Sequence, residues 1–345
     1  MTASGYDAAP MMVYWEVTRA CGLACRHCRA EAVPNRDPLE LSTEEGRKLL
    51  RSLTRFGDRI PHLVLTGGDP FRRPDLDELV AYAAGLGLFV SVTPSATPLV
   101  TRDTIIRLKH AGVRSLAYSI DGSRAERHDR IRGIEGTFER TVNAVQWALA
   151  ESIPVQVNTL VSSETADDLD AVYDLVCRLG AQRWALFFLI ATGRGQALTE
   201  VSPAESERLL SWLLDLSSKP SPVIKTTEAH HYRRLDAARR APGRTSTHAW
   251  GIRDGAGIMF VSHTGDVYPS GFLPMSVGNV RGRDPVTLYR QSPLFRQLRD
   301  VRSLKGKCGR CEFKVICGGS RARAYAATGD PLESDPLCPY EQAEA

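Results

Sequence analysis

The chain has 345 residues, 43% of them hydrophobic and 24% charged, and its 44 basic and 40 acidic residues give a net charge of +4. These values are typical of a globular enzyme and exclude a disordered or fibrous protein. The balanced charge argues against nucleic acid as a partner. A chain of this length can bury one large core or two ordinary ones, so we expect one large domain and a smaller one.

Between Met12 and Ile190, short β-branched segments alternate with amphipathic ones. The predicted strands are VYWEVT, HLVLTG, LFVSVT, RSLAYSI, VQVNTLV and WALFFLI. The predicted helices lie near LSTEEGRKLLRSLTRFG, PDLDELVAYAAGLG, TRDTIIRLKHAG, TFERTVNAVQWALAES and DLDAVYDLVCRLG, and the first begins with the capping-box spacing of Ser42 and Glu45. Alternating strands and helices predict parallel pairing through right-handed crossovers. We therefore expect an α/β fold, a partial (β/α)6 TIM-like barrel whose working face lies at the carboxyl ends of the strands.

The pattern changes after Thr192. A predicted helix in SPAESERLLSWLLDL is followed by the basic segment EAHHYRRLDAARRAPGR and then by a glycine-rich region. We place a domain boundary near Lys225, which gives a barrel domain at 1–225 and a small C-terminal domain at 226–345.

The N-terminal segment lacks the charged and apolar regions of a secretory signal, and the apolar run WALFFLIA is too short to cross a bilayer. We therefore expect no membrane association and a cytoplasmic location, where thiols stay reduced. The eight cysteines then indicate metal binding more readily than disulfides.

Three cysteines cluster in RACGLACRHCRAEA, directly after the first predicted strand: Cys21, Cys25 and Cys28. A structural zinc ion takes four protein ligands, and His27 is a weak candidate for the fourth because it adjoins Cys28. We expect its ring to pack beside the site instead. A [4Fe-4S] cluster held by three thiolates keeps one iron open to a small molecule.

At this position, CxxxCxxC resembles the signature of the radical S-adenosylmethionine (SAM) superfamily. The resemblance implies that the open iron of a [4Fe-4S] cluster binds the amino and carboxylate groups of SAM, whose reductive cleavage yields a 5′-deoxyadenosyl radical. The segment GGDP after the second strand is similar to the GGEP loop of that family. Gly67, Gly68 and Asp69 would then contact SAM, although Asp69 stands where glutamate is commoner.

Two segments after the fourth strand, SIDG and ERHDRIRGIEGTF, resemble further family motifs. The resemblance implies that Ser119 contacts SAM and that Arg132 binds its carboxylate, with Arg140 as a rival. In the fifth strand Gln156 and Asn158 share a face, and the resemblance directs that face towards SAM.

The third strand ends in VTPSATP, where relatives often have an Asn-Gly turn. A role for Thr93 or Ser95 in SAM binding therefore stays open.

A second group consists of four cysteines near the C-terminus: Cys308, Cys311, Cys317 and Cys338. Four thiols can saturate zinc or a [4Fe-4S] cluster, and their spacing does not decide between the two. CxxC followed by CGGSRARAYA and a distant cysteine resembles the auxiliary-cluster tail of SPASM and twitch proteins, which implies a second [4Fe-4S] cluster. Ser270 stands where a full SPASM domain has a cysteine, and Cys177 is predicted to be a small core residue. A single auxiliary cluster with four protein ligands suits electron transfer better than substrate ligation.

The whole pattern most resembles the branch of alternative haem synthases and haem d1 biosynthesis proteins. The resemblance implies an enzyme that abstracts hydrogen from a carboxylate-bearing side chain of a tetrapyrrole, with oxidative decarboxylation or side-chain loss, and that draws electrons from a reductant such as flavodoxin or ferredoxin. An acidic small-molecule substrate would favour arginines at the site, and HHYRRLDAARR offers Arg233, Arg234, Arg239 and Arg240. A solvated basic helix face explains these arginines at least as well. His230 and His231 could be axial ligands or acid/base groups, but we expect a surface pair.

Three alternatives remain. One is a maturase of a ribosomally made peptide, although the short segment before the first strand leaves no room for a winged-helix recognition domain, so a separate protein would recognise the peptide. Another is a decarboxylase or epimerase of a sugar or nucleoside acid. The third is a non-catalytic zinc or redox scaffold.

Overall fold

The computed structural model describes residues 5–239 and 251–341. Its strands are β1 (Met12–Thr18), β2 (His62–Gly67), β3 (Val90–Val92), β4 (Ser115–Ser119), β5 (Val155–Val161), β6 (Arg183–Phe188), β7 (Val223–Thr227), β8 (Ile258–Val261) and β9 (Val267–Tyr268). Within the described ranges they form one sheet in the order β7-β6-β5-β4-β3-β2-β1-β8-β9. All neighbouring pairs are parallel except β8 with β9.

The six predicted strands are present, and each pairs in parallel with the next. The predicted fold class, a partial TIM-like barrel, is confirmed. The sheet has more strands than predicted, because β7 pairs with β6 at one edge and β8 pairs with β1 at the other. Strand β8 is only the four residues IMFV, which is too short for a pattern to be recognised.

The helices between β1 and β7 are α1 (Thr43–Leu53), α2 (Leu76–Gly85), α3 (Arg102–His110), α4 (Ala125–Arg132), α5 (Thr137–Ala150), α6 (Leu169–Leu179) and α7 (Pro203–Leu216). After β7 follow α8 (Tyr232–Arg239), α9 (Pro285–Gln291), α10 (Pro293–Arg299), α11 (Gly306–Arg310) and α12 (Arg321–Thr328). The capping box of α1 is confirmed, since the Glu45 amide donates to Ser42 Oγ over 3.2 Å and the Ser42 amide donates to Glu45 Oε2 over 2.8 Å. Helix α4 was not predicted; it lies in the charged segment ERHDRIR.

The prediction for Cys177 is wrong, because its side chain is exposed. Helix α6 buries Val172, Tyr173 and Val176 against the core. Successive residues of an α-helix lie about 100° apart around its axis. Cys177 follows Val176 and therefore points away from the buried face.

The division into 1–225 and 226–345 stays a prediction, and the fold adds two facts to it. Lys225 lies inside β7, and β8 of the C-terminal part belongs to the same sheet as the barrel strands. No helix in the described ranges combines the length and apolar character needed to cross a membrane.

Candidate active site

The loop after β1 carries the first three cysteines and closes on itself. The Cys21 amide donates to the Val33 carbonyl over 2.8 Å, and the Val33 amide donates to the Arg19 carbonyl over 3.1 Å. Cys21 and Cys25 are buried, Cys28 is half-buried, and all three line one cavity of about 220 Å³.

Backbone amides point at the sulfur atoms of this loop. The amides of Leu23 and Ala32 donate to the Sγ atoms of Cys21 and Cys28 over 3.3 and 3.4 Å. Hydrogen bonds to the sulfurs are among the contacts that tune iron–sulfur clusters. All three thiols are free of disulfides and face one space, so the donor set fits a cluster with three protein ligands.

Glycines let neighbouring loops approach the cysteine loop closely. A Cβ at Gly68 would lie 2.4 Å from the Ala20 carbonyl oxygen, and one at Gly193, which has φ +52°, would lie 2.5 Å from that of Arg29. Real Cβ atoms do not come this close to backbone, so these contacts require glycine. The GGDP loop therefore uses its glycines to pack against the cysteine loop, in addition to exposing backbone to the cavity.

The Asp69 side chain differs from the expected arrangement. Its carboxylate accepts a hydrogen bond of 2.6 Å from Thr97 Oγ1 and weaker ones from the amides of Phe71 and Ser95. The residue is fully buried and is not among those that line the cavity. Asp69 thus joins the loops after β2 and β3, whereas Gly67 and Gly68 of the same loop line the cavity.

The cavity wall is built from the carboxyl ends of successive strands. Thr66, Ser119, Asn158 and Phe187 come from β2, β4, β5 and β6. A second cavity of about 170 Å³ shares Thr66 and Ser119 with this wall and is lined also by Thr93 and Pro94, and Ser95 lines both cavities. The two cavities adjoin each other, and Ser95 and Thr93 therefore lie at or beside the predicted SAM site.

A buried ion pair lies beside Cys25. Arg132 Nη2 is 2.6 Å from Asp121 Oδ2, and Arg132 Nη1 is 3.8 Å from Cys25 Sγ. Burial acts to raise the pKa of Asp121, but the charge of Arg132, followed by His27 and His128, outweighs it and holds the pKa below its usual value. Arg132 lines both cavities, whereas its predicted rival Arg140 donates to the Ala96 carbonyl and lines neither.

The two polar residues of β5 have different positions. Asn158 lines the cavity, while Gln156 lies two residues nearer the amino end of the strand and lines a separate pocket. Gln156 Nε2 donates to Asn158 Oδ1 over 2.7 Å. Gln156 therefore orients the Asn158 amide and does not itself face the cavity.

Sequence reasoning did not single out Arg194, which lies in the segment TGRG after β6. Its guanidinium donates to the carbonyls of Cys25 and Ala32 over 2.9 and 3.3 Å, and its amide donates to the Cys28 carbonyl. Arg194 lines the cavity and holds the cysteine loop.

His27 lies beside the site as predicted, in the cavity wall. Burial lowers the pKa of His27 to about 4, so the ring is neutral near pH 7.

Sequence reasoning also missed Asp121 and Phe272, which line the cavity. Asp121 lies two residues after Ser119, which was a usable signal, but Phe272 comes from a distant part of the chain.

The four C-terminal thiols lie among backbone amides and buried arginines. The Asp335 and Gly319 amides donate to Cys308 Sγ and Cys317 Sγ, each over 3.4 Å, and Arg321 Nη2 is 3.7 Å from Cys308 Sγ. Burial raises the pKa of Cys317 to about 12, so a thiolate there needs a positively charged partner. Four free thiols in this setting fit a metal cluster.

Buried Arg323 connects this region to the barrel. Its guanidinium donates to the Leu189 carbonyl over 2.9 Å and to the Glu228 carbonyl over 2.6 Å, and it pairs with Glu200 over 2.7 Å. Leu189 lines the cavity. One side chain of α12 therefore holds both the cavity wall and the segment after β7.

The basic segment does not supply arginines to the cavity. Arg234 pairs with Glu207, Arg239 pairs with Asp215, and Arg233 donates to the Ile252 carbonyl; Arg240 lies outside the described residues. The expected solvated face is wrong for Arg234, which is 5% exposed.

The predicted surface pair of histidines is also wrong, because His230 and His231 are both buried. They lie where the barrel meets the C-terminal part, and that contact is not visible in the local sequence. The arginines in the cavity wall are Arg29, Arg132 and Arg194.

Several known proteins are similar to this chain in sequence and in fold. The radical SAM superfamily matches residues 15–176. An AdoMet-dependent heme synthase of Methanosarcina barkeri is 40% identical over 96% of this chain and 97% of the relative. A pre-heme d1 synthase of Dinoroseobacter shibae is 28% identical over 96% and 87%, and a mycofactocin maturase of Mycobacterium tuberculosis is 31% identical over 99% and 85%. Streptococcus suis SuiB bound to S-adenosylmethionine has the same fold, with a TM-score of 0.74 at 17% identity over 96% of this chain and 77% of that one.

These matches confirm the recognised family and the prediction of an enzyme. Superfamily membership implies a [4Fe-4S] cluster and SAM as cofactors, and the alternative of a non-catalytic scaffold is wrong. With CxxxCxxC lining a cavity at the carboxyl ends of a parallel sheet and a full-length relative at 40% identity, the chain belongs to the radical SAM superfamily.

Proposed function

We propose that this enzyme acts in haem biosynthesis, where it oxidatively decarboxylates a carboxylate-bearing side chain of a tetrapyrrole. The observation that carries the proposal is the 40% identity to an AdoMet-dependent heme synthase over nearly the full length of both chains. The pre-heme d1 synthase supports the same substrate class at lower identity.

The cofactor site proposed for this reaction follows the cavity wall. Cys21, Cys25 and Cys28 would hold the [4Fe-4S] cluster, and Ser119, Arg132, Asn158 and the backbone of Gly67 and Gly68 would position SAM. Bound there, the cluster would supply the electron that cleaves SAM, and the 5′-deoxyadenosyl radical would take a hydrogen atom from the substrate.

The lining of the cavity suits an acidic side chain. Arg194 carries positive charge in the wall, and Phe187 and Phe272 supply apolar surface, whereas the charge of Arg29 is paired with Glu16 over 2.6 Å. Because the cluster and SAM would occupy the same cavity, we propose that only the reacting carboxyethyl arm enters it, while the macrocycle stays at the mouth. Apolar walls exclude water and competing hydrogen donors from a reactive radical.

The chemistry requires an electron acceptor. When a carboxyethyl arm becomes a vinyl group, it loses one hydrogen atom to the radical, one CO2 molecule and one electron. We propose that a second [4Fe-4S] cluster on Cys308, Cys311, Cys317 and Cys338 accepts that electron. A reductant such as flavodoxin or ferredoxin would supply the electron for SAM cleavage.

The test is an anaerobic assay of the reconstituted enzyme with SAM, a reductant and Fe-coproporphyrin III. We expect 5′-deoxyadenosine together with a porphyrin that has lost CO2 and two hydrogen atoms from a side chain, detected by mass spectrometry. If 5′-deoxyadenosine forms but no porphyrin changes mass, the tetrapyrrole substrate is wrong.

A second candidate substrate is a ribosomally made peptide, which the 31% identity to a mycofactocin maturase favours. The same assay distinguishes the two, with a candidate precursor peptide and any partner protein that recognises it in place of the porphyrin. Decarboxylation or epimerisation of a sugar or nucleoside acid stays a prediction.

A further inference from the structure

A buried group of two carboxylates and one imidazole lies outside the proposed active site. Glu228 and His230 follow β7, and Asp254 precedes β8. One ligand atom from each lies within 4.8 Å of the other two, and all three residues are buried. None of the three belongs to the cysteine motifs or to the cavity wall.

Two atoms of this group are buried without a hydrogen-bond partner. Across residues 5–239 and 251–341, neither His230 Nε2 nor Asp254 Oδ1 has one. His230 is 5% exposed and Asp254 is 0% exposed. A buried polar atom without a partner destabilises the folded state, so two such atoms facing one group indicate a ligand between them.

The remaining oxygens of the two carboxylates are already bound. The amides of Arg321 and Ala322 donate to Asp254 Oδ2, each over 3.0 Å, and Ser320 Oγ donates to Glu228 Oε2. Such contacts orient carboxylates towards a shared ligand, as outer-shell hydrogen bonds do in metal sites. They also connect the group to the start of α12, three residues after Cys317.

The nearby guanidiniums do not neutralise the carboxylates by direct contact. Arg233 donates to the Ile252 carbonyl, and its Nη1 also lies 3.5 Å from His230 Nδ1, which leaves Nε2 as the unpartnered nitrogen of that ring. Arg253 donates to backbone carbonyls, Arg321 donates to carbonyls and to Cys308 Sγ, and Arg323 pairs with Glu200 and Asp335. In the described part of the chain, no ion pair joins any arginine to the side chain of Glu228 or Asp254. Two buried carboxylates this close need a cation or a shared proton between them.

We propose that Glu228, His230 and Asp254 bind a zinc ion, with a water molecule in the fourth position, and that this ion joins the segment after β7 to the segment before β8. Carboxylate and imidazole ligands suit zinc, and the order of divalent-metal affinities favours zinc over manganese and ferrous iron at such a site. Two ligands follow β7 and the third precedes β8, so the ion would hold these two segments together. The inference does not depend on the substrate or on the reaction.

The test measures metal in the holoenzyme, purified anaerobically from cells grown with zinc. We expect about one zinc per chain, in addition to the iron of the clusters. X-ray absorption at the zinc edge should show nitrogen and oxygen ligands at about 2.0–2.1 Å and no sulfur at about 2.3 Å. This readout separates the proposed site from zinc misplaced on the cysteines.

Substitutions of the proposed ligands test where in the chain the zinc ion is bound. Asp254→Asn and His230→Gln should lose at least half of the zinc while their iron content stays at the wild-type value. His231→Gln is the matched control, because this buried neighbour hydrogen-bonds Ser206 Oγ over 2.8 Å and should keep its zinc.

The proposal is overturned if the wild-type enzyme contains no zinc, if the zinc edge shows sulfur ligands, or if the Asp254 and His230 variants retain full zinc. The X-ray absorption measurement uses the wild-type chain, so it tests the proposed zinc site even if a variant fails to fold.

Discussion

The two cysteine sites differ in what they face. The N-terminal loop is held by backbone contacts from glycine-rich neighbours, and its three thiols line a cavity. The C-terminal thiols lie among buried arginines, and none of the four is in the wall of that cavity. Close-contact glycines and neighbouring arginines occur at both sites, since a Cβ at Gly309 would lie 2.2 Å from the Leu304 carbonyl oxygen and Arg132 lies beside Cys25. The cavity is therefore the feature that distinguishes the first site. The difference supports substrate chemistry at the first site and electron transfer at the second.

The largest effect is expected when a thiol of the open site is removed. In Cys25→Ser, SAM cleavage should fall to the background rate, and iron should fall from about eight to about four per chain. Formation of 5′-deoxyadenosine and iron analysis measure both. Cys177→Ser, at an exposed position on α6, is the control and should match the wild type.

Removal of a thiol from the C-terminal site should separate SAM cleavage from acceptance of the substrate electron. Cys317→Ser should also lose about four irons, yet it should still cleave SAM, because the first site is intact. Product formation should be lost, since no acceptor for the substrate electron remains. Full product formation in a variant that has lost this iron would contradict the electron-acceptor role.

Glycine contacts can be tested by comparing two positive-φ positions. Gly180→Ala has no atom near the added Cβ and should cost only the backbone strain, about 1 kcal/mol in the free energy of unfolding. Gly193→Ala should cost about 1–3 kcal/mol more, because its Cβ meets the Arg29 carbonyl oxygen. Urea unfolding of the two variants measures this difference; equal losses would show that the loop shifts freely.

Substitutions of Asn158 and Gln156 in β5 should raise the KM for SAM by different amounts. Asn158→Ala removes a group from the cavity wall and should raise the KM for SAM about fivefold to tenfold, as expected for one hydrogen bond of about 1–1.5 kcal/mol. Gln156→Ala removes only the group that orients it and should raise the KM less. Initial rates of 5′-deoxyadenosine formation give both values, and a larger effect for Gln156 would reverse the proposed roles.

The smallest expected effect concerns acid stability at a position remote from both sites. Burial lowers the pKa of His62 on β2 to about 4, whereas an unfolded histidine titrates near its usual 6.5. As the pH falls below 6.5 the unfolded chain takes up a proton that the folded chain refuses, so stability is lost towards pH 4. His62→Gln should therefore show a smaller drop in unfolding midpoint between pH 7.5 and 6.0, measured by circular dichroism. A drop equal to that of the wild type would show that this histidine does not contribute.

Much of the barrel could be predicted because its signals are local. The β-branched strand segments, the capping box at Ser42 and the cysteine spacing each lie within a few residues of one another. The positions of Asp69 and Gln156 could not be predicted, since whether a polar side chain faces the cavity or a neighbouring loop depends on its partner. The burial of His230 and Arg234 arises where the barrel meets the C-terminal part, and no short pattern records that contact.

Strand β8 has a practical consequence for any attempt to divide the chain. It covers the outer edge of β1 from Met12 to Trp15, and β1 is the strand that leads into the cysteine loop. A chain truncated after Lys225 would leave the backbone hydrogen-bonding groups of that apolar edge unpaired. Uncovered edges of this kind pair with other molecules, so the truncated barrel should aggregate before it can be loaded with iron.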